Sequence, residues 1–398
     1  AGAGLLPMTG IGQIAFGAAS PQSPILVVLH LRGGCDGLNM VSPASDPDFI
    51  EARGSDLRVA ADGTGAGFQL ANGPAPGIDF RLHPSAGGLN ELYKSGHLAF
   101  IHAAGLTNQT RSHFVATDMI ERGVASDADL ARTPQGWITR SLQGKAAIAV
   151  SGTLAGDLAG DPSAMAVPDL SGGLSPAGGA PIGSALWQLY GGSGTVAVAG
   201  RTALQSMAAI DVRLPRDDKG QVKPYLAENG ANYDPAADFA RPLKTVAQLI
   251  KMELGLSAVT LDYGAWDTHE YQSGKFKYQV ERLSAGLSAF WNDLSAYHDR
   301  ITLVTLTEFG RRLRSNKSGG TDHGRASLMM VLGGTVAGGR FHGAWPGLKT
   351  EQLDEGVDLA VTNDYREVLS EILDRQHGVK NGGWFPNFRH TGSLGVLV

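Results

Sequence analysis

The sequence contains a single cysteine, Cys35, among its 398 residues. An internal disulfide is therefore excluded, and cysteine usage does not indicate the redox compartment. No apolar run approaches the roughly 20 residues that a membrane-spanning helix needs. Neither sign of charge is in large excess, because the formal net charge is only −5. This balance argues against a nucleic acid as the partner.

Glycine, by contrast, is abundant, with 55 residues. Apolar residues make up 42% and charged residues 18% of the chain, which is typical of a globular protein with a sizeable core. The many glycines predict long irregular loops. We expect one α/β domain over residues 1–398, with the Gly-, Ala-, Pro- and Asp-rich stretch 147–233 as an insertion or lid.

The N-terminal segment, residues 1–24, is rich in small residues and does not begin with methionine. It resembles a mature end left by signal-peptide removal, or the start of an expressed fragment. The first interpretation favours a periplasmic or secreted protein.

Five apolar runs predict short buried strands at residues 24–31, 98–104, 258–261, 301–307 and 327–332. Helical periodicity lies between them, which predicts a mostly parallel central sheet flanked by helices. Polar residues follow or precede these runs within about ten positions, where an open α/β sheet presents groups at the carboxyl edge of its strands. These residues are Asp36, Thr110, Arg111, Ser112, Asp267, His269, Glu308 and His323.

Carboxylates and imidazoles predominate in this set, and both are ligands for divalent cations. Asp267 and His269 lie two positions apart in one loop, a spacing suited to two ligands of one ion. The alternative is a helix cap with an unrelated histidine. With Asp36, Glu308 and His323, the set would hold one or two cations. We expect zinc first, with manganese, calcium or magnesium as alternatives.

The hydroxyls of Thr110 and Ser112 lie where a loop becomes a helix. Either residue is an N-cap, which is the commoner role, or a nucleophile near free N–H groups that favour an oxyanion. Arg111 would bind ester oxygens through a bidentate contact, or it would be an ordinary surface residue.

Six sequence blocks in a fixed order carry a family resemblance: LRGGCDGLN, GLTNQTRSHF, WDTHEYQ, TLTEFGRR, GGTDHGRASLMMVLGG and LAVTNDYREVL. With them the chain resembles a bacterial exported family known only as domain of unknown function fifteen-zero-one. Members of that family often carry a twin-arginine (Tat) export signal. The family is grouped with the alkaline phosphatase and sulfatase superfamily, so the resemblance implies an alkaline-phosphatase-like fold and a metal-dependent hydrolase.

The superfamily resemblance also implies roles for individual residues. Asp36 matches the metal-ligating Asp after the first strand, and Ser112, or else Thr110, matches the nucleophile. Asp267 and His269 resemble the Asp and His of one metal site, and His323 resembles the late His that completes a site. Glu308 stands where an Asp-His pair normally supplies the other metal.

Two features depart from the superfamily pattern. Asp267 and His269 are two residues apart instead of four, and Glu308 is followed by Phe309 instead of His, with His113 or Asp322 as substitutes for the missing ligand. The Cys-containing formylglycine signature of sulfatases is absent as well.

The sequence therefore predicts an exported metal-dependent hydrolase of phosphate or sulfate esters, acting on a small-molecule or polysaccharide ester. One alternative is a metal-dependent enzyme that acts on a polysaccharide or another non-ester substrate. A second is a degenerate surface binding protein whose metal is structural or absent. The sequence leaves the oligomeric state open.

Overall fold

The computed structural model describes residues 23–176, 178–379 and 384–398. The N-terminal segment 1–24, interpreted above as a mature end, lies outside the described residues except for Ser23 and Pro24. Within them the strands are β1 (Ile25–Leu31), β2 (Val41–Pro43), β3 (Phe68–Gln69), β4 (Phe80–Leu82), β5 (Leu98–Gly105), β6 (Ala146–Val150), β7 (Met165–Ala166), β8 (Leu256–Tyr263), β9 (Ile301–Leu306), β10 (Ser327–Gly333) and β11 (Asn363–Asp364).

The α-helices of the described residues lie between these strands and after the last one. They are α1 (Gly37–Met40), α2 (Pro47–Ala52), α3 (Gly87–Lys94), α4 (His113–Arg122), α5 (Asp127–Arg132), α6 (Trp137–Ser141), α7 (Gly179–Leu189), α8 (Thr195–Asp211), α9 (Ala240–Lys251), α10 (Gln272–Asp293) and α11 (Tyr365–His377).

Eight strands form the central sheet in the order β11-β5-β10-β9-β1-β8-β6-β7. In this sheet of the described chain only β10 pairs antiparallel with its neighbours, β5 and β9. The prediction of a mostly parallel sheet flanked by helices is therefore confirmed. A small antiparallel sheet, β2-β4-β3, lies apart from it.

The position of β1 at the centre of the sheet follows from its composition. All seven of its residues are buried, and it pairs parallel with β8 on one side and β9 on the other. A parallel strand covered on both faces requires such a continuous apolar run. Its side chains alternate between two cores, Val27 and Leu29 in one and Leu26 and Val28 in the other.

The apolar periodicity of the long helices follows the same logic. In α10, Val280, Leu283, Leu287 and Phe290 are each 0% exposed, as expected for one apolar stripe facing the core. The last helix begins at a cap: the Asp364 carboxylate accepts the N–H of Arg366 at 2.9 Å.

Two local predictions need adjustment. The apolar residues within 358–362 predict a short strand, but the strand that forms is β11 at Asn363–Asp364. The stretch 147–233 includes most of β6 as well as β7, and both strands belong to the central sheet. The same stretch also contains the helix pair α7 and α8, whose residues contact each other. Its role as a lid stays a prediction.

None of the helices in the described residues is both long enough and apolar enough to cross a membrane.

Candidate metal centre

Four side chains from three separate segments lie together at the sheet edge, and three of them, His113, Asp267 and His323, offer ligand atoms that all lie within 4.8 Å of one another. The Nε2 atom of His323 lies 3.1 Å from Nε2 of His113 and 2.9 Å from Nε2 of His269. The Oδ1 atom of Asp267 lies 3.1 Å from His323 Nε2 and 3.0 Å from His269 Nε2. The other oxygen of Asp267 is 3.5 Å from His113 Nε2. We call these four residues the histidine cluster.

Strand direction explains why these residues meet. His113 begins α4 after the carboxyl end of β5, and Asp267 and His269 follow the carboxyl end of β8. His323 precedes β10, and because β10 runs antiparallel, its beginning lies at the same edge. Open α/β sheets bind their ligands outside this edge.

The second ring nitrogen of each histidine faces an acceptor away from the cluster. His323 Nδ1 lies 3.0 Å from the carbonyl oxygen of Arg111. His113 Nδ1 is 3.5 Å from Glu308 Oε1, and His269 Nδ1 is 3.5 Å from Asp322 Oδ1. A neutral imidazole that donates from Nδ1 presents a lone pair on Nε2. All three lone pairs then point into the cluster.

Glu308 is held in place by the loop that follows β1. Its carboxylate accepts the backbone N–H groups of Gly33 and Gly34 at 3.0 Å each. Gly33 has a φ of 118°, and a Cβ atom there would lie 2.5 Å from the backbone nitrogen of Asp267. Only glycine fits such a backbone so close to the ligand loop. Glu308 Oε1 faces His113 Nδ1, so Glu308 orients this ring and is not itself among the converging atoms.

The pKa values in this region follow from these contacts. Burial acts to raise the pKa of Glu308, but the His113 hydrogen bond and backbone N–H groups, including those of Gly34 and Gly33, outweigh it and lower the pKa to about 2. In turn, the hydrogen bond to Glu308 raises the pKa of His113 above its ordinary value. Desolvation instead lowers the pKa of His323.

Asp267 is held as a carboxylate by a buried cation. Arg311 is only 1% exposed, and its Nη2 atom lies 2.5 Å from Asp267 Oδ1. Burial opposes ionisation of Asp267, yet the His323 and Arg311 contacts together lower its pKa. The same guanidinium also donates to the carbonyl oxygens of Gly33 and Gly34. Arg311 thus fastens the Asp267 loop to the loop after β1.

The donor set fits a divalent cation. In a tetrahedral zinc site with bonds of about 2.0–2.1 Å, neighbouring donor atoms are separated by about 3.3 Å. The separations quoted above, from 2.9 to 3.5 Å, scatter around that value, and the members of the cluster whose ligand atoms all lie within 4.8 Å of one another are His113, Asp267 and His323. The four side chains remain 21–44% exposed, so the cluster opens to solvent on one side. Structural zinc sites are closed by four protein ligands, whereas catalytic sites keep one coordination position open to water or substrate.

Of the hydroxyls, Ser112 is the free one. It is the N-cap residue of α4, is exposed, and makes no side-chain capping hydrogen bond. Thr110 Oγ1 instead accepts the N–H of Ser112 at 3.2 Å. The first N–H groups of α4 therefore remain available to an anion beside Ser112.

Arg111 does not present its guanidinium to the cluster. Its Nη2 atom contacts Asp358 at 2.5 Å and Glu355 at 3.2 Å. Asp358 is 0% exposed, so this ion pair anchors Arg111 to the loop before β11. The part of Arg111 that touches the cluster is its carbonyl oxygen, the acceptor of His323.

Asp36 is also engaged elsewhere. Its carboxylate accepts a bidentate contact from Arg53 at 2.6 and 3.0 Å and a hydrogen bond from Gln272 at 2.6 Å. It also caps α1 by accepting the N–H of Asn39 at 3.2 Å. Asp36 is 0% exposed and Arg53 2%. The expected ligand therefore forms a buried ion pair outside the histidine cluster.

Among the expected ligands, the structure brings together Asp267, His269 and His323. His113 joins them, although the sequence argument named it only as a substitute ligand. The available signal was its position directly after Ser112, at a predicted helix start behind a buried strand. A helix start explains Ser112 as a cap but gives His113 no evident role. The sequence therefore does not single out His113 as a primary metal ligand.

Comparison with known families gives one match. Residues 196–383 match the family model described as Protein of unknown function (DUF1501). The predicted resemblance is confirmed over this region, which is just under half of the chain and contains Asp267, His269, Glu308 and His323. No curated protein matches the chain.

Several solved structures are similar at low identity. The C-terminal periplasmic domain of EcEptC from Escherichia coli, in complex with Zn, is 8% identical, with 80% of this chain and 75% of that chain covered and a TM-score of 0.37. Ps i-CgsB in complex with k-i-k-neocarrahexaose is 8% identical, with coverages of 93% and 75% and a TM-score of 0.42. The lipoteichoic acid synthase LtaP from Listeria monocytogenes is 10% identical, with coverages of 92% and 74% and a TM-score of 0.37. Values this low say nothing about the reaction of this chain, so function must be argued from the site.

Proposed function

We propose that this protein is a metal-dependent hydrolase of phosphate or sulfate esters that uses one divalent cation. The observation that carries the proposal is the convergence of three imidazole Nε2 atoms on the two oxygens of the Asp267 carboxylate, with every histidine oriented from behind. His113, Asp267, His269 and His323 would hold the cation, with zinc as the first expectation. When bound, the cation would supply Lewis-acid stabilisation of negative charge on the ester.

Ser112 would be the nucleophile. Its oxygen would attack phosphorus or sulfur, the bond to the ester oxygen would break, and the alcohol would leave with a proton. Water would then hydrolyse the serine ester and release phosphate or sulfate. The N–H groups of the first turn of α4 would donate to the oxygens of the transferred group.

A structural cation is the competing assignment, because four protein donors are enough to fill a tetrahedral site. In that case removal of the cation would lower stability without any turnover to lose. The exposure of the four side chains favours the catalytic assignment.

The test begins with the cation content of protein purified without a chelating column. We expect about one equivalent in the wild-type protein and little in His323→Ala. Activity is then screened with 4-nitrophenyl phosphate and 4-nitrophenyl sulfate. Ser112→Ala should lower kcat by at least about a thousandfold while keeping its cation.

Thr110→Ala is the matched control, because its hydroxyl only accepts a backbone N–H. It should retain activity within a fewfold. Full activity of Ser112→Ala on every ester would refute the nucleophile assignment, and loss in Thr110→Ala alone would transfer it to Thr110. Absence of a cation, even after divalent ions are added back, would refute the metal centre.

We also propose, from the resemblance of the six sequence blocks to an exported family, that the protein is periplasmic or secreted. Cell fractionation of the natural host tests this.

A further inference from the structure

Two aromatic side chains stand uncovered beside ligands of the histidine cluster. Phe114 directly follows His113 and is 87% exposed. Tyr271 lies two residues after His269 and is 76% exposed. Single exposed aromatics are common on protein surfaces. Two of them, on two of the three segments that deliver ligands to one solvent-open cluster, call for a functional explanation.

The direction of Phe114 follows from its place in a helix. It lies in the first turn of α4, and side chains of an α-helix tilt toward the helix N-terminus. That terminus carries Ser112 and His113. Phe114 therefore lies at the end of α4 that carries the cluster ligand His113, and its ring is open to solvent there.

Tyr271 is held by its backbone in an unusual conformation. Its φ is 50°, in the left-handed region that non-glycine residues rarely occupy. The loop before His323 stabilises this conformation, because Ser318 accepts the N–H of Tyr271 at 3.3 Å and Gly319 accepts the N–H of Gln272 at 2.9 Å. Such strained conformations persist only where the surrounding structure holds them in place, and they are common at binding sites.

We propose that Phe114 and Tyr271 form a stacking subsite for a ring in the alcohol part of the ester, either a pyranose or an aryl ring. This inference rests on the proposed function, because the histidine cluster would bind the phosphate or sulfate end of the same molecule. Aromatic faces bind flat C–H or π surfaces without charge complementarity. An open cluster beside such faces recognises an ester by its anionic end and its ring together.

The kinetic test compares three phosphate esters and their sulfate counterparts: a glucose ester, a 4-nitrophenyl ester and an ethyl ester without a ring. Phe114→Ala and Tyr271→Ala should each raise KM for ring-bearing esters by about five- to tenfold. KM for the ethyl ester and the zinc content should stay unchanged. A preference for the glucose or the nitrophenyl ester separates the sugar from the aryl source.

The matched control is Leu226→Ala, another exposed apolar side chain at 81% exposure. Glu228, two residues after Leu226, donates its N–H to Asp293, the last residue of α10. Tyr271 lies at the opposite end, directly before the first residue of that helix. A helix of 22 residues is about 33 Å long, so Leu226 lies far from the cluster. This variant should behave as wild type. An equal rise of KM for the ethyl ester, or no rise for the ring esters, would overturn the subsite.

A second measurement is independent of turnover and separates failure of the subsite from failure of the hydrolase assignment. Saturation-transfer NMR detects contact between the protein and methyl glucoside, phenol or ethanol. Wild-type protein should transfer saturation to at least one ring compound and not to ethanol. The Phe114→Ala/Tyr271→Ala double variant should lose the transfer, and Leu226→Ala should keep it. Contact in the absence of any esterase activity would support the subsite and refute the hydrolase; no contact with either ring compound would refute the subsite.

Discussion

Glu308 and His113 form the link between the sheet and the histidine cluster: Glu308 Oε1 lies 3.5 Å from His113 Nδ1, on the side of the ring opposite the cluster. Glu308 is 5% exposed and anchored by backbone N–H groups, so its position is set by the fold. A carboxylate behind a metal-binding histidine fixes the tautomer and raises the basicity of the ligand. From this relationship we derive the first two predictions.

Glu308→Gln should weaken zinc binding by about ten- to a hundredfold, because the amide does not hold His113 in the same orientation and charge environment. A competition titration against a coloured zinc chelator measures this affinity. Glu281→Gln, on the exposed face of α10, is the matched control and should bind zinc as wild type does. Unchanged affinity in Glu308→Gln would show that Glu308 does not support the ligand.

Zinc affinity should rise with pH through the raised pKa of His113, in a window that starts near the ordinary histidine value of about 6.5. In the metal-free protein the stability depends on pH in the opposite direction, so it falls as pH rises. A raised folded-state pKa stabilises the protein below the unfolded pKa, and this contribution is lost as pH rises through the folded pKa. Thermal unfolding of metal-free and zinc-loaded protein between about pH 5.5 and 8.5 tests both trends.

In Glu308→Gln the window for zinc binding should move to lower pH, because the group that raises the pKa of His113 has lost its charge. The same window in variant and wild type would contradict the assignment of His113 to that proton.

Asp36→Asn should lower the free energy of unfolding by about 3–5 kcal/mol, because Arg53 would be left buried without its counter-charge. Zinc content should stay at the wild-type value. Chemical denaturation and metal analysis on the same sample measure the two quantities. Loss of zinc in a folded Asp36→Asn protein would instead return Asp36 to the ligand set.

Arg111→Ala should lower zinc affinity, by up to about tenfold, because the Asp358 ion pair no longer holds the carbonyl that orients His323. If Arg111 bound ester oxygens, the variant would raise KM and leave zinc affinity unchanged. Asp358→Asn distinguishes the two roles, since it releases the same loop while Arg111 keeps its charge. It should reproduce the loss of zinc affinity.

Much of the fold is predictable from the sequence. The apolar runs near residues 24–31 and 301–307 correspond to β1 and β9, and the periodicity after Lys275 corresponds to α10. Residues 146–150 form β6, but nearly all of them fall within the stretch predicted as an insertion, because the run is short and borders a glycine-rich region. Short buried strands without flanking periodicity have no strong local signal.

The candidate site was predictable only in part. Asp267, His269 and His323 were found because polar groups after buried strands point to one sheet edge. Glu308 was assigned as a ligand, but whether a carboxylate touches the cation or the histidine behind it depends on atomic distances. Local sequence does not contain those distances.

The amino-acid sequence by itself determined the chemical inventory: carboxylates and imidazoles at strand ends, a hydroxyl at a helix start, and the strands and helices that carry them. Tertiary structure alone decided which of these groups meet. Arg53, 17 positions after Asp36 in the chain, reaches it and forms a buried ion pair with it. His113 joins the histidine cluster because β5 lies beside β10, whose antiparallel direction places His323 at the same edge of the sheet. The physical reason is that strand order and direction are long-range properties, set by burial of the whole sheet, and side-chain convergence follows from them.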